Sequence, residues 1–368
     1  MKKICLFLLF LAPALLPAEP LYSSIWGFFL DLPEGYEFFE GNNTDRYSFQ
    51  GPNEAMFDVA AYKNAYPDVE QLANDINRRL GNAGDTAFFE YGGKNAALIE
   101  LRFGGFSGWG FCVELDSAGE ATPMLLALAY APEGKAGLDI FHLSALDSVA
   151  PSAAEKRIPG PITEFSYPRG RQQGIPLAGT QVTAMFREND AEAAQALVDR
   201  EFSLLLQYQT APNWQEAWVR YYRAICRDSW DRVADALSRL QPNWSSGSGD
   251  RAFAEKALQY VQGFNYERNL EGSDFINLVN AVIEKRGDCD SRAMLWAMIL
   301  MQANIPAAIM VSQNYSHAMG LADIPGAGAR FESSGVQWLV AETTKEVGIG
   351  LINQDMSATE HWLGVVFE

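Results

Sequence analysis

Two kinds of apolar pattern follow one another along this chain. In the first, short runs at 47–49, 55–62, 88–91, 95–103, 108–115 and 123–130 are separated by clusters rich in Gly, Asp and Ser, and predict strands. Residues 25–36 predict a strand and then a turn, with Pro33 and Gly35 in turn positions. Residues 68–80 place Val69, Leu72, Ala73, Ile76 and Leu80 on one helical face. Residues 138–149 predict a closing helix. These elements define a unit over 21–150 in which a sheet is packed with two helices.

The second pattern is helical. Residues 151–178 begin rich in Pro, Gly and charge, with Arg169, Arg171 and the pair Gln172-Gln173, and predict a linker or strap. An extended segment is expected over 175–186. Long helices are expected over 190–209, with Asn189 or Asp190 as cap, and over 214–240 and 251–264, with a shorter one at 275–284. The Ser-Gly run at 245–249 predicts a flexible loop. Residues 291–303 are apolar on nearly every face, which makes a core helix; Asn304 fits a left-handed cap and Pro306 a stop. Strands follow at 307–311, 315–321 and 338–343. The fold class is α+β, with a second domain over 179–368.

Composition narrows the picture. The 368 residues have room for two domains, and 48% hydrophobic content is enough to fill two cores. A formal net charge of -18 argues against a nucleic-acid partner, because phosphate binding needs a basic face. Met1-Lys2-Lys3 followed by apolar residues 4–16 reads as a signal peptide over 1–18, cleaved near Ala18. An uncleaved anchor is the alternative. The apolar run is short for a membrane span, and no later stretch reaches that length, 122–131 included. The expected location is therefore periplasmic or extracellular, with no stable membrane insertion after cleavage.

Three cysteines remain after that cleavage: Cys112, Cys226 and Cys289. Their odd number and scattered positions make no disulfide framework. Cys226 lies beside Ala224 and Ile225 and reads as a small core residue. The histidines number three, His142, His317 and His361, which argues against a histidine metal cluster. His142 has no partner nearby in sequence and reads as a surface or core-edge residue.

Cys289 stands apart. Gly287 permits a sharp turn into the core helix, Asp288 is its N-cap, and Cys289 falls in the first turn. The free N–H groups of a helix start favour a thiolate and can stabilise an oxyanion. Asp288 and Asp290 oppose this by raising the thiol pKa, so an imidazolium partner is needed. His317, on a following strand, can face back towards the helix start. Glu342, on a further strand, can hold the ring and favour its charged form. Asp323 competes with Glu342, but it lies at a strand end only a short way after His317. The plain alternatives are an inert core cysteine, a strand histidine of no consequence and an exposed strand-end acid.

Two resemblances follow from these residues. Leu32-Pro33-Glu34-Gly35-Tyr36, a helix after the third strand and a last helix after a hairpin series resemble the α/β sandwich of the PsbP-like family, which brings no catalytic residues. Gly287-Asp288-Cys289-Asp290, the apolar helix, His317 and Trp338 with Glu342-Thr343-Thr344 resemble the transglutaminase-like superfamily, papain-like in its Cys-His-acid triad. This second likeness spans about residues 250 to 345. It implies Cys289 as nucleophile, His317 as base and Glu342 as the orienting acid. The chain departs from the family in having Glu342 where aspartate is usual and a longer loop before Trp338. Family members act as peptidases, amidases or amidotransferases without a metal or organic cofactor. The resemblance thus implies acyl transfer from amide or peptide bonds, with a protein or peptide as substrate. Some members have lost the cysteine and serve as binding modules, so the rival reading is a non-enzymatic envelope interaction protein. Gln262 and Tyr266 are candidate oxyanion donors; a polar residue on an exposed helix face and a core-edge aromatic are the favoured readings of the two.

Overall fold

The computed structural model describes residues 20–116, 122–135, 137–245, 249–268 and 272–367; the expected signal and its cleavage point lie outside them. Within these residues the protein is α+β, with two larger sheets that each pack against helices.

At the start, β1 (Leu21–Tyr22) pairs with β2 (Phe29–Leu30), and Phe29 also bridges Ala150. The strand expected from residue 25 is thus cut to two residues, because Gly27 turns the chain at φ 78°. A seven-stranded antiparallel sheet follows. It comprises β3 (Glu37–Gly41), β4 (Arg46–Gln50), β5 (Met56–Tyr62), β6 (Thr86–Tyr91), β7 (Lys94–Phe103), β8 (Phe106–Glu114) and β9 (Met124–Pro132), in the order β3-β4-β5-β9-β8-β7-β6. Side chains of a strand alternate between faces. Phe111 and Val113 of β8 therefore enter one core and Cys112 the other. α1 (Val69–Arg79), capped by the Asp68 carboxylate on Gln71 N–H, covers the Cys112 face. α2 (Leu138–Asp147) covers the opposite face with Phe141 and Leu146. His142 of α2 is buried, not at a surface or core edge, and neither ring nitrogen has a hydrogen-bond partner among the described residues. Burial pushes its pKa down to about 4, so the ring is neutral.

The expected strap has structure of its own. α3 (Pro161–Ser166) starts on a proline at its first turn, and Thr163 gives both its N–H and its hydroxyl to the buried Asp147. The segment expected to be extended over 175–186 is instead a hairpin of β10 (Gln172–Pro176) and β11 (Thr183–Arg187), turned through Gly179 at φ 67°.

α4 (Asp190–Leu205), α5 (Trp214–Leu240), α6 (Asp250–Gln262) and α7 (Leu278–Glu284) then surround α8 (Cys289–Gln302). β12 (Asn265–Tyr266) and β13 (Arg286–Gly287) pair in parallel just before α8. The second sheet contains β14 (Ala307–Ser312), β15 (His317–Ala322), β16 (Arg330–Ser333), β17 (Val336–Ala341) and β18 (Leu363–Val366), in the antiparallel order β16-β17-β15-β14-β18. α8 is pressed against β15, and its Trp296 is fully buried. A Cβ on Gly320 of β15 would lie 2.3 Å from the Trp296 ring, so the helix and strand touch only because that position lacks one. Asn304 ends α8 in the left-handed conformation, at φ 59°.

The two cores meet along α4 and α5. Leu204, Tyr208 and Ala217 pack into the first core, whereas Tyr221, Ile225 and Val233 belong to the second. Charge joins them as well. Buried Arg220 donates to Glu201, to the Ser144 hydroxyl and to the Asp31 carbonyl, and Arg227 donates to five backbone carbonyls and the Tyr91 hydroxyl. No helix among the described residues is long and apolar enough to cross a membrane.

Candidate functional site

The approach to Cys289 is fixed from several sides. Lys285 ends α7 in a left-handed conformation at φ 56°. The β12–β13 pairing then holds Arg286 and Gly287, and Arg292 reaches back to the carbonyls of Gly287 and Phe264. Asp288 caps α8 by accepting from the Ser291 N–H at 2.8 Å. The Ser291 hydroxyl in turn donates to the Ile276 carbonyl at 2.8 Å and accepts from its N–H at 3.0 Å. Cys289 is thereby the first residue of the helix and 3% exposed.

The three candidate residues are brought to one place, though not in one hydrogen-bonded row. His317 opens β15, and Glu342 follows the last residue of β17, one step beyond the strand. The His317 Nε2 donates to Glu342 Oε2 at 2.9 Å. Glu342 Oε1 accepts from the Thr344 N–H at 2.7 Å and its hydroxyl at 2.6 Å. Burial raises the Glu342 carboxyl, but His317 and Thr344 outweigh it and hold the pKa below the usual glutamate range. The Ala318 backbone, next along the same strand, pulls the Cys289 thiol pKa down, a pull that burial and the neighbouring aspartates outweigh. The thiol donates to Asp290 Oδ2 at 3.3 Å, and no hydrogen bond joins it to the His317 ring among the described residues. Asp323 is exposed and is not the partner of His317.

The local charge is strongly acidic. Burial, then Asp290 and Asp288, push the Cys289 thiol up, so the resting sulfur is protonated. Burial and the neighbouring Asp290 push Asp288 well up. Asp290 is also raised, chiefly by burial, although Tyr222, the thiol and the charge of His317 pull it down. Carboxylate oxygens of Asp274, Asp288 and Asp290 lie within 4.8 Å of one another, the spacing that could hold a cation. Asp288 Oδ2 is buried and has no hydrogen-bond partner among the described residues.

Sequence reasoning assigned the helix start but missed what surrounds it. Tyr222, from the middle of α5, donates to Asp290 Oδ1, and only tertiary packing places it there. Gln262 is not on an exposed face. It is buried and donates to the carbonyls of Glu342 at 2.8 Å and Val347 at 2.9 Å, so it positions the acid. Tyr266 is 55% exposed instead of lying at a core edge, with the Arg292 guanidinium 5.5 Å from its ring centre. The Trp362 ring stands 6.4 Å from the His317 ring and Tyr315 lies 5.4 Å from Trp362, forming an aromatic rim. Arg169 and Arg171 pair with Glu164, Asp231 and Glu188, away from this site.

No family model matches the chain, and no curated protein matches it. A crystal structure from Bacteroides thetaiotaomicron VPI-5482 is similar to 59% of this chain and 80% of its own, at 12% identity and a TM-score of 0.25.

Proposed function

We propose that the protein is an exported transglutaminase-like thiol enzyme acting on amide or peptide bonds through Cys289, His317 and Glu342. The observation that supports this most is the His317–Glu342 hydrogen bond, made from the first residue of the strand that packs on α8, the helix that Cys289 opens. Glu342 fixes Nε2 as the protonated nitrogen and leaves Nδ1 able to accept a proton. On substrate binding, Nδ1 takes the thiol proton as the sulfur attacks the acyl carbon. The imidazolium then gives that proton to the departing amine as the C–N bond breaks. Water attacks the thioester, regenerating the thiol and releasing the acid. The seven-stranded sheet, read as a PsbP-like sandwich, would serve as a docking module. Residues 1–18 would direct export and be removed.

A specific observation favours a second reading. The thiol is held by Asp290, not by the imidazole, and two carboxylates oppose its ionisation. That arrangement also suits a non-enzymatic interaction protein on an inactive scaffold.

Turnover of a peptide library, read by mass spectrometry, separates the two. Cys289→Ala is expected to abolish cleavage and His317→Ala to reduce it by about a hundredfold or more. Unchanged turnover in Cys289→Ala, or none in the native protein, rejects the enzymatic reading.

A further inference from the structure

A cavity of about 390 Å³ lies where the two cores meet, at the end of α8 remote from Cys289. Cys289 and Met301, which lines it, are about 18 Å apart along the helix axis. The apolar part of its wall includes Phe29, Trp230, Met301, Ile305 and Phe367. This volume lies within the range of small-ligand pockets.

The charge of the lining is opposite to that of the chain. Six cations face the cavity against four acids, in a protein whose formal net charge is -18. Three of the acids are already paired: Asp147 with Arg200, Glu201 with Arg200 and Arg220, and Asp228 with Arg232, which stands outside the lining. Arg227 spends its donors on backbone carbonyls and the Tyr91 hydroxyl. Three cations remain. Lys156 Nζ lies 4.5 Å from the centre of the Phe29 ring and the Arg157 guanidinium 5.0 Å from the centre of the Trp230 ring, and neither side chain has a polar partner among the described residues. Arg223 makes a single side-chain hydrogen bond, from Nε to the Val366 carbonyl at 3.5 Å, which leaves its terminal nitrogens without a hydrogen-bond partner among the described residues. The fourth acid, Asp31, forms no ion pair among the described residues. Burial, the largest influence on it, raises its pKa and so weakens the one negative charge set against the three positive ones.

Arg227 gathers these cations at one corner. It donates to the Glu155 and Ile158 carbonyls, each at 3.2 Å, so the turn that carries Lys156 and Arg157 lies against it. Arg223 precedes Arg227 by four residues on α5, one turn away on the same helix face, and Trp230 follows three residues later on that face. Lys156 and Arg223 are half-buried. Partly desolvated cations without a counter-charge cost free energy that an anion recovers, and hydrogen bonds between ionised groups are the stronger kind.

We propose that this cavity binds a carboxylate carrying an apolar tail, its head among Lys156, Arg157 and Arg223 and its tail against Trp230, Met301 and Ile305. A cation meets repulsion there, and a plain hydrocarbon leaves the three charges unanswered. The site does not involve the thiol chemistry and stands without it.

The test is calorimetric titration of the whole protein with decanoate, decan-1-ol and decylammonium, each below its micelle-forming concentration. Decanoate is expected to bind, and the alcohol and the amine to bind at least about tenfold more weakly, the equivalent of roughly 1.4 kcal/mol. Lys156→Met combined with Arg223→Met should bring decanoate to within about threefold of the alcohol. Arg171→Met, at a surface cation paired with Glu188 and outside the lining, should leave the preference intact. Absence of decanoate binding, an alcohol or amine within about threefold of it, or a folded double variant that keeps the tenfold preference overturns the proposal. Circular dichroism reads the folding of the double variant; should it not fold, Arg157→Met, at an exposed side chain, carries the same comparison.

Discussion

Two of the buried charged clusters in this protein are built in opposite ways. Where the two cores meet, Arg200 and Arg220 are matched by Asp147 and Glu201, with Ser144 and Thr163 filling further hydrogen-bonding positions. At the start of α8, Asp274, Asp288 and Asp290 converge with a Tyr222 hydroxyl and a thiol between them, and Asp288 Oδ2 has no partner among the described residues. The first cluster fixes how α4 and α5 seat against the seven-stranded sheet. The second sacrifices stability at the place where a nucleophile is proposed, as expected where a functional site outranks packing.

Their response to pH should differ in sign. Burial raises Asp147 and Glu201, but the arginines outweigh it and hold both carboxyls below their ordinary values. Their contribution to stability is present above the unfolded carboxyl pKa and is lost as pH falls through the depressed folded values. Asp288 and Asp290 are raised, chiefly by burial. The folded state then binds protons more tightly than the unfolded one, and their unfavourable effect grows as pH rises from the unfolded value towards the folded one.

Three substitutions probe this contrast by urea denaturation. The largest effect is expected from Glu201→Gln, which leaves Arg220 and Arg200 facing a neutral amide and should cost about 3–5 kcal/mol. A loss below about 1 kcal/mol would mean the arginine cluster is not what joins the two cores. Asp288→Asn keeps an acceptor for the Ser291 N–H and removes a buried charge. It should gain about 1 kcal/mol at pH 8 and little at pH 4, where the native acid is already protonated. A loss at pH 8 would erase the distinction between the clusters. Asp323→Asn alters an acid outside both and should change stability by less than about 0.5 kcal/mol, with turnover unchanged. A drop in turnover there would move the orienting role away from Glu342.

Local pattern made several of these elements readable. α5 runs over the 214–240 expected for it, and the Asp288 cap with the left-handed Asn304 brackets α8 because both are chemistry within one or two turns of the chain. Other features needed partners distant in sequence. β18 is short, contains Gly364, and exists because β14 accepts it as a neighbour, so its sequence alone did not mark it as a strand. Gln262 looked exposed, since its polarity says nothing of the Glu342 and Val347 carbonyls that await it across the fold. His142 shows the reverse: a buried ring with neither nitrogen satisfied among the described residues departs from the ordinary rule for polar groups. In the candidate site, the order of thiol, imidazole and acid was legible, but the claim of Asp290 on the thiol depends on side-chain direction at the helix start.

The bare position at Gly320 works as a gauge block in the assembly of this site. It sets how deeply β15 sinks onto α8, and β15 begins with His317 while α8 begins with Cys289. One added methyl group there, three residues from the ring and remote from any reacting atom, would wedge strand from helix and alter the gap between sulfur and imidazole. The reach of the proposed chemistry is thus measured out by the thickness of an indole.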